Sequence, residues 1–169
     1  PDADAGGRTL PFSRELLIER ADFMEDPPKK FHRLSVGREV RLRYGFYITC
    51  VGVEKDASGH ITSVRCTYDP DTRGGSSSDG RRIKGTLHWV SAAHARKVSV
   101  RLYDRLFAEE FPGADGRDYQ GDLNPTSLTE CVGYLEPNAP VEQDTRVQFE
   151  RTGYFFVDVD STPKNPIFN

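Results

Sequence analysis

Two arginines placed two residues apart in an alternating segment are the clearest chemical signal of this sequence. Between Val40 and Ile48 the even positions are apolar, whereas Arg41 and Arg43 lie at odd positions. Because successive side chains of a strand point to opposite faces, the pattern predicts one strand with both arginines opposite the core. A guanidinium fits phosphate oxygens and the O6/N7 edge of guanine, so we expect a surface that binds phosphates or bases.

Aromatic residues are interleaved with these basic ones, at Phe31, Tyr44, Phe46 and Tyr47. Unpaired RNA bases stack on such side chains. Phe31 and Phe46 fit a hydrophobic core equally well, and we assign Phe46 to the core.

A second polar group lies near the end of the chain, where Gln148, Glu150 and Arg151 surround the apolar Phe149. An amide, a carboxylate and a guanidinium can together donate to and accept from the pairing edge of one base. The same pattern is typical of an ordinary exposed strand end. Gln148 and Glu150 share a strand face and Arg151 does not, so the three can meet one base only if the chain turns or bulges near Gly153.

The charge is strongly asymmetric although the net charge is only −3. Residues 29–43 contain six basic residues and one acid, and residues 81–105 contain seven and one. Residues 106–145 reverse this, with nine acids and one base. Such a distribution permits one cationic face for a polyanion, and it is equally compatible with ordinary solvated surfaces.

Alternating segments separated by Gly, Pro, Asp and Ser predict an all-β chain with two barrel-like lobes and little helix. The break at 92–97 and the loop at 112–122 place the lobe boundary near 92–112. The predicted strands cover residues 40–48, 61–68, 82–90, 98–107, 127–135, 146–150 and 153–158.

Several function classes lack support in the sequence. No apolar stretch approaches the ~20 residues of a membrane span, so we expect no membrane association. No glycine-rich phosphate loop, HExxH or GxSxG motif occurs, and the three cysteines form no CxxC pair. These absences favour a binding module without cofactor or metal over an enzyme, in a reducing, cytoplasmic compartment. The start without Met and the end at Asn169 suggest a piece of a longer protein, with a flexible segment at 1–10.

Several strings in register closely resemble the glutaminyl-tRNA synthetase family, over about residues 11–169. They are PFSRE at 11–15, RADF at 20–23, GREVRLR at 37–43, HWVSAAHA at 88–95, VRLYDRLF at 100–107 and QFERTGYF at 148–155. The resemblance covers the C-terminal anticodon-binding part, which in the family is two β-barrels of the ribosomal L25-like type. It implies a monomeric parent that attaches glutamine to tRNA-Gln using ATP and Mg in a separate class I catalytic domain. The 169 residues alone would be inactive and would hold no cofactor.

The resemblance also implies roles for individual residues. Arg33 resembles the arginine that recognises the third anticodon base, a guanine. Arg41 and Arg43 resemble the pair that holds the first base and its phosphate, and Gly45 stands where a small residue lets the backbone approach the base.

The middle base, a uracil, is assigned by the resemblance to Gln148, Glu150 and Arg151. Lys29, Lys30 and His32 are weaker candidates for RNA contacts, because the Lys-Phe-His string at 30–32 replaces the Gln-Tyr-Lys that bacterial members often show.

Two alternatives stay open. One is a stand-alone RNA-binding structural protein with a ribosomal L25-like barrel. The other is the related non-bacterial glutamyl-tRNA synthetase, which shares the barrels; the HWVS and QFER strings favour the glutamine enzyme.

Overall fold

Short strands bounded by turns make up most of the regular structure, as the alternation of the sequence predicts. The structure is a computed structural model that describes residues 7–169, so most of the predicted flexible segment at 1–10 lies outside the described residues. Contacts divide the described residues into an N-terminal unit, Thr9–Ala93, and a C-terminal unit, His94–Asn169 together with Gly7 and Arg8. The exact lobe boundary near 92–112 stays a prediction.

The N-terminal unit contains a four-stranded sheet in the order β4-β3-β2-β5. A separate two-stranded sheet joins β1, which precedes those four strands in the sequence, to β6, which follows them. Neighbours in the large sheet are antiparallel except β2 and β5, which run parallel. Two 3-10 turns, Arg20–Asp22 and Pro70–Thr72, connect these strands. The strands are β1 Leu16–Leu17, β2 Glu39–Leu42, β3 Tyr47–Lys55, β4 Ile61–Asp69, β5 Thr86–Leu87 and β6 Val90–Ser91.

The C-terminal unit contains a three-stranded sheet in the order β11-β7-β8 and a separate β9-β10 hairpin. Its long acidic segment forms two 3-10 turns, Ala114–Gly116 and Tyr119–Asp122. The strands are β7 Arg96–Tyr103, β8 Leu128–Leu135, β9 Arg146–Phe149, β10 Gly153–Phe156 and β11 Ile167–Phe168.

Each unit buries its own apolar cluster. In the N-terminal unit, alternate residues of β2 and β3 pack on residues from the preceding loops, and in the C-terminal unit the Phe149 ring lies 5.0 Å from Phe155 and 5.4 Å from Phe168. The buried residues are Phe23, Leu34, Val40, Leu42, Ile48, Cys50 and Leu87 in the first cluster, and Val98, Leu135, Phe155, Val157 and Phe168 in the second.

The prediction of an all-β chain is confirmed, since the helices of the described residues are 3-10 turns of three or four residues. Strand β4 and the strands near 128–135, 146–149 and 153–156 also lie where the sequence predicts them, whereas most of β3 falls outside the predicted strands. No helix within residues 7–169 is long and apolar enough to cross a membrane.

The prediction of one continuous strand over 40–48 is wrong. The chain turns between β2 and β3, where the Gly45 N–H donates to the Leu42 carbonyl (2.9 Å) and the Leu42 N–H donates to the Phe46 carbonyl (2.8 Å). Tyr44 adopts φ +57°, which reverses the chain direction. Arg41 therefore lies on a strand and Arg43 in a turn.

The predicted strand over 82–90 is also wrong, because it separates into β5 and β6 with different partners. β5 pairs with β2, and β6 pairs with β1. Two-residue strands such as these are defined by their partners and not by local alternation.

Candidate nucleic-acid interface

Arg41 leaves β2 beside a glycine- and serine-rich loop that packs against its side chain. Its Nη1 donates to the Gly75 carbonyl (3.2 Å), and its Nε and Nη2 donate to Thr86 Oγ1 (3.3 and 3.1 Å). Gly75 has φ +86°, and a Cβ there would lie 2.9 Å from Arg41 Cδ. The loop therefore fixes the direction of this half-buried guanidinium, which uses three donors inside the unit.

Arg43 and Tyr44 form a pair at the tip of the β2–β3 turn. The guanidinium carbon lies 4.9 Å from the Tyr44 ring centroid, and Arg43 Nη2 donates to the Tyr44 hydroxyl (3.2 Å). Two hydrogen bonds anchor the turn to the chain segment around β5. The Arg43 N–H donates to the Leu87 carbonyl and Trp89 Nε1 donates to the Arg43 carbonyl, both at 2.9 Å. Tyr44 is 64% exposed and Arg43 is half-buried, so this pair presents an aromatic ring to solvent with a cation beside it.

Gly45 is buried directly under the indole of Trp89. A Cβ at this position would lie 3.1 Å from Leu42 Cβ and 3.3 Å from Trp89 Cζ2. Packing within the chain thus accounts for the small residue here. Its role in the approach of a base stays a prediction.

Arg33 lies in the loop that precedes β2 and has internal partners. Its Nε is 3.3 Å from Asp22 Oδ1, and its Nη1 donates to the Thr86 carbonyl (2.9 Å). The Asp22 carboxylate is almost completely buried, so Arg33 compensates its charge. Any contact of Arg33 with a guanine would therefore use a guanidinium that also stabilises the fold.

The weaker candidates of this loop, Lys29, Lys30 and His32, are all exposed. The loop is shaped by a turn in which the Phe31 N–H donates to the Pro28 carbonyl (2.9 Å). Arg38 closes it by donating to the Phe31 carbonyl. The three side chains thus add positive charge to the surface around Arg33.

Arg81 is a central residue that the sequence pattern does not reveal. Its guanidinium binds Glu39 (Nε to Oε2, 3.0 Å), Asp79 (Nη1 to Oδ2, 2.6 Å) and Asp69, and it lies 5.1 Å from the centroid of the Tyr47 ring. These contacts join β2, the end of β4 and the loop at 73–85. We call them the Arg81 clamp.

The pKa values of two carboxylates of the Arg81 clamp, Asp79 and Asp69, are lowered, which favours their charged forms. The N–H of Arg81, then Ser77 and the Arg81 guanidinium lower the pKa of Asp79 to about 2. The Arg81 guanidinium, then the N–H of Asp71, lowers the pKa of Asp69. A groove of about 380 Å³ lies beside the clamp, lined by Arg41, Tyr47, Arg82 and the loop residues Ser76 and Ser77 among others.

The polar group at the end of the chain is arranged by the β9–β10 hairpin. The Thr152 N–H donates to the Phe149 carbonyl (2.9 Å), and Arg151 has φ +72°. The chain therefore reverses at residues 150–152, which is the turn that a shared pocket for Gln148, Glu150 and Arg151 requires. All three residues are exposed.

Two further residues flank Gln148 and are absent from the sequence-based prediction. Tyr154 is its partner across the hairpin and is 82% exposed, and Arg146 lies two residues before it on β9. The alternation of Phe155 and Val157 toward the core is a signal that could have placed Tyr154 on the outer face.

Within the part of the chain that the structure describes, no three His, Cys, Asp or Glu side chains form a group that could hold a metal ion.

Comparisons with known proteins agree on one family. Two models described as tRNA synthetases class I (E and Q), anti-codon binding domain, match residues 1–69 and 86–158. Proteins named Glutamine--tRNA ligase from Nitrobacter hamburgensis (52% identical over 169 residues) and Bradyrhizobium diazoefficiens (50% over 171) each match 99% of this chain. One of the same name from Rhodopirellula baltica is 52% identical over 171 residues, again 99% of this chain. The chain spans between 28% and 30% of the length of these relatives.

Proposed function

The chain belongs to the anticodon-binding domains of the class I (E and Q) tRNA synthetases, and from this we propose that it recognises the anticodon loop of tRNA-Gln. The resemblance to glutaminyl-tRNA synthetases noted in the sequence is confirmed. The observation that carries the proposal is the Arg43–Tyr44 pair, in which an exposed aromatic ring lies beside a half-buried guanidinium on an anchored turn at the end of the basic segment 29–43.

We assign the first base and its phosphate to the turn between β2 and β3. A base can stack on Tyr44 while Arg43 binds a phosphate oxygen or a base edge, because both groups are presented together. Arg41 borders the same turn and is oriented by Gly75 and Thr86.

The other two bases are assigned to two separate places. Arg33 reads the guanine of the third position, with Lys29, Lys30 and His32 supplying positive charge for the phosphates nearby. Gln148, Glu150 and Arg151 read the middle uracil from the turn of the β9–β10 hairpin.

The activity of the whole protein is a further part of the proposal. The parent would join glutamine to tRNA-Gln with ATP and Mg in a catalytic domain, as a monomer in the cytoplasm. The 169 residues alone would show no glutamine-dependent exchange between ATP and pyrophosphate, since they match anticodon-binding models and lack nucleotide-binding motifs. Exchange above background from the purified chain would contradict this part.

The test measures binding of the chain to an anticodon stem-loop of tRNA-Gln by fluorescence anisotropy. We expect each substitution of an anticodon base to weaken binding, and Arg43→Ala to weaken it as well. Arg105→Ala is the matched control, since Arg105 is a strongly exposed arginine outside the assigned residues. Equal binding to all stem-loops would support a general RNA-binding module, and a preference for the tRNA-Glu anticodon would support the glutamyl alternative.

A further inference from the structure

We propose that Tyr154 is a stacking platform for the base read by Gln148, and that Arg146 binds a phosphate beside that base. The inference rests on the proposed function and adds two binding residues to it. Arg146, Gln148 and Tyr154 are all exposed, and they lie on the outer face of the β9–β10 hairpin.

The register of the hairpin places Tyr154 and Gln148 directly opposite each other on the two strands. Phe156 exchanges both of its backbone hydrogen bonds with Asn169 (2.7 and 2.9 Å), so its backbone faces away from β9. Phe156 and Arg146 are therefore a non-hydrogen-bonded pair. Two residues further along the same ladder, Tyr154 and Gln148 are another such pair. In these pairs the side chains approach more closely than in hydrogen-bonded pairs.

The hairpin that carries Tyr154 is fixed to the core of the C-terminal unit. Phe155 and Val147, the residues between the exposed ones, belong to the apolar cluster of the C-terminal unit. Tyr154 itself is 82% exposed and contributes little to the core. An open groove of about 470 Å³ lies beside this face, and Arg146, Gln148 and Tyr154 are among the residues that line it.

The chemistry of this face fits a nucleotide. An unpaired base can stack on the phenol ring, and the adjacent amide offers one acceptor and two donors to the edge of the same base. Arg146 lies one pair further along the same face and supplies the cation for the phosphate. Stacking of a base on an aromatic side chain tolerates any base, so Tyr154 contributes affinity and Gln148 contributes selectivity.

The experiment compares variants of the 169-residue chain on a tRNA-Gln anticodon stem-loop and on the same RNA with an abasic middle nucleotide. Tyr154→Ala is expected to weaken binding to the intact RNA by about tenfold or more. Tyr154→Phe should bind like the wild type because it keeps the ring. The control is Tyr103→Ala, which removes another exposed tyrosine of the same unit.

The abasic RNA identifies the stacking partner. Wild type should bind the abasic RNA more weakly than the intact RNA. On the abasic RNA, Tyr154→Ala should bind almost as well as wild type, because the base that stacks is already missing. Arg146→Ala should weaken both RNAs equally and reduce the salt dependence. A Tyr154→Ala protein that binds intact RNA like the wild type, or that weakens both RNAs equally, overturns the stacking role.

The outcome for wild type separates this inference from the proposed function. If wild type distinguishes anticodon bases and Tyr154→Ala changes nothing, only the inference fails. If wild type distinguishes no anticodon base, both fail. Circular dichroism and thermal unfolding of each variant establish that the change in binding does not come from unfolding.

Discussion

Arg33 and Asp22 form an ion pair, with 3.3 Å between Nε and Oδ1, in which the aspartate is only 1% exposed. Removing the arginine leaves a buried carboxylate without this compensation. We expect Arg33→Ala to lower the free energy of unfolding by about 3 kcal/mol, measured by urea denaturation. Adding Asp22→Asn to that variant should recover part of the loss, and no recovery would contradict the compensating role of Arg33.

The same double variant separates folding from base recognition. With Asp22→Asn as the reference, the additional Arg33→Ala change should reduce the preference for guanine at the third anticodon position by about 1–3 kcal/mol. Binding to stem-loops with each of the four bases at that position gives the measurement. An equal loss for all four bases would mean that Arg33 contacts a phosphate.

The salt dependence of binding distinguishes the exposed lysines from the base-reading residues. Lys30→Ala should reduce the slope of log K against log salt by about 0.7 if it neutralises one phosphate of a single strand. Gln148→Ala should leave the slope unchanged and reduce the preference for uracil in the middle position. The affinities are measured over a series of salt concentrations. A reduced salt slope for Gln148→Ala, or a lost uracil preference for Lys30→Ala, would contradict the roles assigned to these two residues.

Acid should weaken the Arg81 clamp within a defined pH range. The pKa of Asp79 is about 2 in the folded protein against an ordinary value of 3.8, so its charged form stabilises the native state. This contribution is complete above about pH 4 and is lost as the pH falls through about 2. Thermal unfolding of wild type and Asp79→Asn should differ at neutral pH and converge near pH 2. A difference that does not depend on pH would contradict the assignment.

Gly85 is required where β5 begins. A Cβ at this position would lie well inside contact distance of the His32 carbonyl oxygen and 3.0 Å from Val40 Cγ1. Because a backbone atom cannot move aside without displacing the loop, Gly85→Ala should destabilise the chain by about 3 kcal/mol or more. Gly121→Ala is the control, since no atom lies within 4 Å of its Cβ position. Urea denaturation of the two variants provides the comparison.

Sequence alternation predicted the all-β class and the strands β4, β7 and β8, because those depend on local periodicity, but it missed most of the nine-residue β3. It did not find the turn after Leu42, since apolar residues continue on even positions through the turn and Tyr44 is an uncommon residue at positive φ. β5 and β6 were also missed as separate strands. Each has only two residues, and its pairing with a strand distant in the sequence defines it, so local alternation does not reveal it.

The candidate residues came largely from resemblance, and their surroundings came from the structure. No spacing rule connects Arg33 with Asp22 or Arg81 with Glu39, because each pair is joined only after the chain has folded. Tyr154 differs from these, since its outward direction follows from strand alternation once Phe155 is placed in the core. The roles of the candidate residues toward RNA stay predictions.

The Arg81 clamp has a consequence for the rate at which the protein finds its RNA. Three carboxylates surround one guanidinium, and one of them, Glu39, lies two residues from Arg41 on the same strand. The basic segment therefore presents a mosaic of charges instead of a uniform positive field. Long-range attraction to any polyanion follows the summed field, whereas base contacts act only at short range. We expect the protein to dissociate quickly from unrelated RNA. In a given time it would therefore sample more RNA molecules than a protein with a purely cationic surface.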